Sequence, residues 1–405
     1  MVAFLGSMAW AVEVNPGGKG DSLIMGYYNA RNALTYFRIV NTSDQGIVGK
    51  IRFREGKRSE EVLDFIVCLS PHDEFSMILV DGGTNAPAVL YKGTDMISDA
   101  DTVTVPANWT MVPLRYNATG AAPTVAMDDT KEGYVEFIGL SAYNIEEITS
   151  DQCKALAETG RVTIGDTTYT ATDAPDSVMG SVEIVKYSDN LPIFSYKATA
   201  LAGTTTSVQT SFPATGTDTP LFNDVVDGGI PALNAALAKT ALYAMYDIRS
   251  DLGAATDVLV LFPTKKETYA ADRPTFDNMF TEVASANSTD LADYCVIVKY
   301  DVYDDAENTI QTELDFSPYT VQTNSLCYEV NYVSVGGMAT SILDTGLAAT
   351  NVQTGSFDFG WLKVYFDNSM TQDEMPVLGY ELQVWADGTL SRMLETSYDA
   401  NVSTE

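Results

Sequence analysis

The chain has 405 residues, 45% of them hydrophobic, and a formal net charge of −32 from 55 acidic and 23 basic residues. That length suffices for one large core or two ordinary domains, and the hydrophobic share excludes disorder through low hydropathy. The charge excludes nucleic acid, whose phosphates need a basic face, and an anionic membrane surface, which would repel the chain.

The first eleven residues, MVAFLGSMAWA, are apolar and end in Ala9-Trp10-Ala11, an A-x-A cleavage pattern before Val12. They read as the tail of a signal peptide (1–11) whose start lies upstream, with an ordinary first strand as the alternative. The expected location is therefore extracellular or cell-surface. No other stretch approaches the roughly 20 apolar residues of a membrane helix, so no membrane insertion is expected. Val12 and Val14 alternate before Pro16 ends the run, a pattern suited to donating a short strand to a neighbour's sheet edge.

Asp21–Ala30 (DSLIMGYYNA) reads as the first mature strand, and Leu34–Leu79 as a four-strand meander. Its Val-, Ile-, Phe- and Tyr-rich runs are broken by turn-forming clusters at 41–46, 55–59 and 70–73. Within it Lys50, Arg52 and Arg54 alternate with Ile51 and Phe53, so the three cations share one face of a strand. A solvated face paired with Glu55, Glu60 and Glu61 is the ordinary expectation; an interface or anion site is the sharper one. The single histidine, His72, sits between Pro71 and Asp73 in a turn. Ser70, His72 and Asp73 are too crowded there to aim at one another as a triad must, so His72 reads as a turn residue.

Residues 82–132 are rich in Gly, Asn, Thr, Pro and Asp and read as a loop-rich insertion. Tyr134–Tyr143 resumes strand character. Asn144–Thr159 reads as a helix, with Glu146 and Glu147 in its first turn and Gly160 to stop it. Strands are expected at Ser181–Tyr187 and Ile193–Leu201, then a Thr-, Gly- and Ser-rich linker at 202–219. Pro231 opens a short helix through Ala238. The second half repeats the strand habit at Ala241–Ile248, Asp257–Phe262, Tyr294–Tyr303, Leu326–Val335, Phe357–Phe366 and Val377–Trp385. From residue 300 onward there are 17 acids and two bases, whereas the first hundred residues hold nine of the 23 bases. One molecule's N-terminal half would then suit another's C-terminal half.

The cysteines are Cys68, Cys153, Cys295 and Cys327, and none forms CxxC. An even count in an exported protein favours disulfides. Cys295 and Cys327 fall on neighbouring strand candidates, which predicts a Cys295–Cys327 bridge; buried free thiols are the alternative, and whether Cys68 pairs with Cys153 stays open. Asp301, Asp304, Asp305, Glu307 and Asn308 crowd one turn and form a candidate Ca²⁺ site, although the EF-hand frame is absent and a solvated acidic hairpin tip is the ordinary expectation. No other cofactor is implied, since HExxH, P-loop and GxGxxG are all missing.

Three phrases carry a resemblance: ALTYFRIVNTSDQGIVGKIRFREGKRSEEVLDFIVCLSP from residue 33, TDVLVLFPTKK at 256–266, and DFSPYT with SLCYEVNYVSV further on. They resemble secreted or cell-surface proteins of environmental Gram-negative bacteria. The resemblance implies export and a β-rich body, and supplies no catalytic residues.

The expected fold is mostly β: two antiparallel β-sandwich units, immunoglobulin-like or jelly-roll-like, with one or two short helices. The units are 12–201 and an acidic 220–405. The expected function is an extracellular structural or cell-surface protein, not an enzyme, acting through interfaces with itself or other surface proteins and self-assembling into a filament or layer. A carbohydrate- or ligand-binding module is the alternative, which needs Trp109, Trp361 or Trp385 on an exposed platform; Trp361 and Trp385, lying in strand patterns, are expected in the core. A secreted glycoside hydrolase is the third class.

Overall fold

The computed structural model describes residues 12–93, 109–113, 125–188, 191–204, 221–283, 288–311, 325–336, 342–366 and 374–399. Four large sheets carry the fold, two in each half. The outer N-terminal sheet runs, in spatial order, Ile193–Lys197, Val178–Lys186, Ala33–Asn41, Glu74–Val80, Val89–Gly93 and Trp109–Pro113. The inner N-terminal sheet runs Glu13–Val14, Thr199–Ala202, Ser22–Asn29, Glu132–Tyr143, Gly46–Glu55 and Glu61–Leu69. In the C-terminal half the inner sheet is Ala349–Val352, Val330–Val335, Ala255–Leu261, Leu378–Trp385 and Leu390–Glu395. The outer one is Thr281–Glu282, Tyr294–Asp304, Phe359–Phe366, Ala241–Asp247 and Ser397–Asp399. The mostly β, antiparallel sandwich architecture read from the sequence is what the chain adopts; one pair, Ala349–Val352 with Val330–Val335, is parallel.

Burial separates the inner sheets from the outer ones. Ala33–Asn41, in an outer sheet, is buried at every second residue. Gly46–Glu55 and Glu132–Tyr143, in the inner sheet, are buried throughout. Strands covered on both faces lose their polar alternation. The second cover is the other half of the chain. Val258 and Val260 join Val298, Val302, Leu362 and Val364 in the C-terminal core, whereas their strand neighbours Leu259 and Leu261 join the N-terminal core with Tyr332, Tyr380 and Leu382. The two inner sheets therefore pack on each other, and the two sandwiches form one four-layered stack. Gly26 shows how close the approach is. It sits at a bulge between Met25 and Tyr27, and a Cβ there would lie 2.6 Å from the ring of Tyr380.

Five α-helices occur among the described residues, more than the one or two expected. α1 is Ser150–Thr159, α2 Phe222–Val225, α3 Gly229–Leu237, α4 Lys265–Ala271 and α5 Arg273–Met279. α1 begins later than Asn144, because Thr149 and Gln152 form a capping box that fixes its start; Gly160, at φ 66°, ends it in the left-handed conformation. α3 begins two residues before Pro231. α4 and α5 are absent from the sequence reading, although Asp272 accepts from the Thr275 N–H and Pro274 sits in the first turn, both recognisable start signals.

The expected insertion at 82–132 contributes two strands to the edge of the outer N-terminal sheet; residues 94–108 and 114–124 lie outside the described residues. The expected linker at 202–219 overlaps the strand Thr199–Ala202 at its start, and 205–220 lies outside the described residues, as does the expected signal-peptide tail 1–11. Cys295 and Cys327 are bonded, with Cα atoms 3.9 Å apart, beside the paired residues Val296 and Leu326. Cys68 and Cys153 are bonded as well and tie α1 to the strand Glu61–Leu69. Two disulfides fit an oxidising compartment. No helix among the described residues is long and apolar enough to cross a membrane.

Candidate functional site

The three cations of the strand Gly46–Glu55 do share a face, but that face is not solvated. Lys50, Arg52 and Arg54 are each at most 2% exposed. Lys50 pairs with Asp64 at 2.9 Å. Arg52 donates to Glu61, to Glu136 on the adjacent strand and to Glu267 on α4. Arg54 donates to Glu136, to Glu267 at 2.6 Å and to the carbonyl of Ser59. Of the acids named as neighbours, only Glu61 pairs with this row; Glu60 takes Lys266 of α4, and Glu55 accepts the turn N–H groups of Lys57, Arg58 and Glu60. The row lies inside the molecule: Lys50 pairs within the first half, while Arg52 and Arg54 join Glu61 and Glu136 of the first half to Glu267 of the second. No local signal marks that last partner, because Glu267 lies 215 residues from Arg52.

The N-terminal donor is likewise engaged at home: Glu13–Val14 pairs with Leu201 and Ala202 at the edge of its own sheet. The acidic turn forms a hairpin whose carboxylates do not converge. Asp304 accepts from the N–H groups of Ala306 and Asn308 and from the Asn308 amide, while Asp301 lies inside the strand, opposite Lys363. Among the described residues no three His, Cys, Asp or Glu side chains are grouped to hold a metal ion. His72 is exposed, adopts φ 58° and bonds Asp44 at 2.8 Å, as a turn residue does.

The outer face of the outer C-terminal sheet differs from the sequence expectation most. Trp361 is not in the core; its strand alternates, burying Leu362 and Val364 and turning Phe359, Trp361, Lys363 and Tyr365 outward. Trp361 stacks on its cross-strand neighbour Tyr303 at 3.8 Å between centroids and 6° between planes, and Tyr243 leans on it from the other side at 5.9 Å. Lys363 lies over the rings of Tyr243 and Tyr365. Trp385 is also not fully buried; its indole N–H donates to Asp247, and the Arg392 guanidinium lies over its ring. Trp109 is on the strand Trp109–Pro113, and its side chain lies outside the described residues.

Beside this aromatic row a cleft of about 410 Å³ opens between the strand Ala241–Asp247 and the inner-sheet strands Leu378–Trp385 and Leu390–Glu395. Tyr243, Met245, Trp361 and Leu394 supply its apolar wall, and Met245 and Leu394 are each 46% exposed. Glu381 and Arg392 supply its polar side. Arg392 donates to Glu381 and Gln383, and the other Glu381 oxygen accepts the Met245 N–H. Burial raises the Glu381 carboxyl above its usual range, while the Met245 N–H and Arg392 oppose the shift. Glu395 lines the same cleft, but it pairs opposite Tyr380 whereas Glu381 pairs opposite Leu394, so the two side chains leave alternate faces of the strand pair. Neither protein-family models nor curated proteins nor solved structures match this chain.

Proposed function

We propose that the protein acts outside the reducing compartment as a contact-making protein whose working surface is the Tyr243–Trp361 cleft, and that the cleft takes a pyranose ring of a glycan. The observation that carries this reading is an outward aromatic row ending at a concave site with a fixed Arg392–Glu381 pair. Apolar sugar faces stack on rings, and a few placed polar groups hold the hydroxyls. Binding rather than hydrolysis is favoured because both Glu381 oxygens are already engaged and Glu395 leaves the opposite face, whereas glycoside cleavage needs two carboxyls flanking one bond. The resemblance to exported bacterial proteins agrees with an extracellular or cell-surface site of action.

The structural, self-assembling reading has one specific observation in its favour. Ile193, Leu390, Leu394 and Met245 are exposed, and Ser391 bonds both backbone groups of Ile193, which brings this strip together beside the cleft. A second copy of the chain would cover such a strip. A glycan-array screen separates the two. Wild type should bind a subset of glycans, and Tyr243→Ala should lose at least about tenfold in affinity with an unchanged melting temperature. No glycan bound, together with concentration-dependent dimers in light scattering that Leu394→Asp abolishes, would transfer the surface to self-assembly.

A further inference from the structure

A second concave site lies where the two halves meet, floored by the buried charges. It has a volume of about 270 Å³ and is bounded by Arg52 and Arg54 of the strand Gly46–Glu55, Glu267 and Ala270 of α4, and Leu221 ahead of α2. Its walls are mainly apolar and its floor is ionic. The floor does not balance: the guanidiniums of Arg52 and Arg54 face three carboxylates, Glu61, Glu136 and Glu267. Lys266, which also lines the pocket, pairs with Glu60, and Lys50, near Glu61 as well, pairs with Asp64, so each of these cations comes with a carboxylate of its own. One Glu267 oxygen and one Glu136 oxygen are buried with no hydrogen-bond partner, and Glu267 lines the pocket at 5% exposure. A buried acceptor left unmade is costly, and a buried carboxylate in excess of its cations is costlier.

We infer that this junction pocket binds an organic cation with a short apolar body, of the primary alkylammonium class. The ammonium group would supply the missing positive charge at the Glu267 floor, while the alkyl part would lie against Leu221 and Ala270. Burial raises the carboxyls of Glu61 and Glu267, with the arginines opposing it, so a proton is the ligand's competitor at this floor. The ligand would touch both halves of the chain, and its binding would therefore stabilise the whole fold by mass action.

The test uses the full chain at pH 7.5 and constant ionic strength. Thermal melts and calorimetric titrations are run with n-butylammonium, with n-butanol and with butyrate. Butylammonium should raise the melting temperature saturably, and the neutral and anionic probes should not. Glu267→Gln keeps an acceptor for both arginines and should bind butylammonium at least about tenfold more weakly. Ala270→Trp, at an exposed helix position, fills the pocket without touching the charges and should also abolish binding. The inference is overturned by equal response to butanol, by unchanged binding in both variants, or by no saturable response to butylammonium.

Discussion

Glu329 is fully buried, with Lys265 and the Ser59 hydroxyl the main nearby groups that favour its charged form. Burial pushes its carboxyl up to about 7, with nearby Lys265 opposing the shift, and burial brings Lys265 down to about 8. The ordinary values are 4.5 and 10.5. From 4.5 to 7 the folded state therefore holds a proton that the unfolded state has lost, and stability falls as pH rises through that window by up to about 1.4 kcal/mol per pH unit. Lys265 has the opposite sign: from 8 to 10.5 the unfolded state holds the extra proton, and stability rises with pH. Asp257, raised to about 6 chiefly by burial, adds to the fall at the acid end. These groups place a stability minimum between pH 7 and 8. Urea midpoints measured from pH 5 to 8 should fall for wild type and fall less for Glu329→Gln; identical slopes for the two would contradict the assignment.

At the scale of elements, the edge strand Ala241–Asp247 shows how this sheet is kept from adding another strand. Beyond the short Ser397–Asp399, the outward backbone groups of Met245 and Asp247 have no strand partner. Side chains of the inner sheet take them instead. Glu381 accepts the Met245 N–H and Gln383 donates to its carbonyl, while the Thr256 hydroxyl both accepts the Asp247 N–H and donates to the Asp247 carbonyl. An open edge is a template for aggregation, and this one is closed from within. Thr256→Val keeps the shape and leaves two buried backbone groups unpaired, so it should destabilise by about 1–3 kcal/mol in a denaturant melt, and Thr256→Ser should recover most of that loss. A Thr256→Val midpoint equal to wild type would refute the capping role. Strand alternation and turn chemistry made most of these elements legible in the sequence, including the Cys295–Cys327 bridge, because both are local patterns. The face on which a strand's residues land is less local. Phe359–Phe366 alternates clearly, yet nothing nearby says that its Trp361 side meets solvent rather than another sheet.

For the whole molecule, the uneven charge along the chain is used within it. Bases of the first half meet acids of the second: Arg54 with Glu267, Arg58 with Asp290 at 2.8 Å and Lys186 with Asp344 at 3.5 Å. The sequence shows the asymmetry but cannot say whether its complement is another copy or the chain's own far end. Because the inner sheets share a core and these pairs cross it, neither half can unfold without exposing Leu259, Tyr332 and Tyr380 and stranding buried charge. Calorimetry of the full chain should give one cooperative transition; two resolved transitions would mean that the halves are independent. The claim that the outer C-terminal face is the working surface is tested most directly by hydrogen–deuterium exchange, with and without the best glycan from the array. Protection confined to 243–245, 359–363 and 392–397 is the predicted result. Protection elsewhere, or none at a saturating concentration, would contradict it.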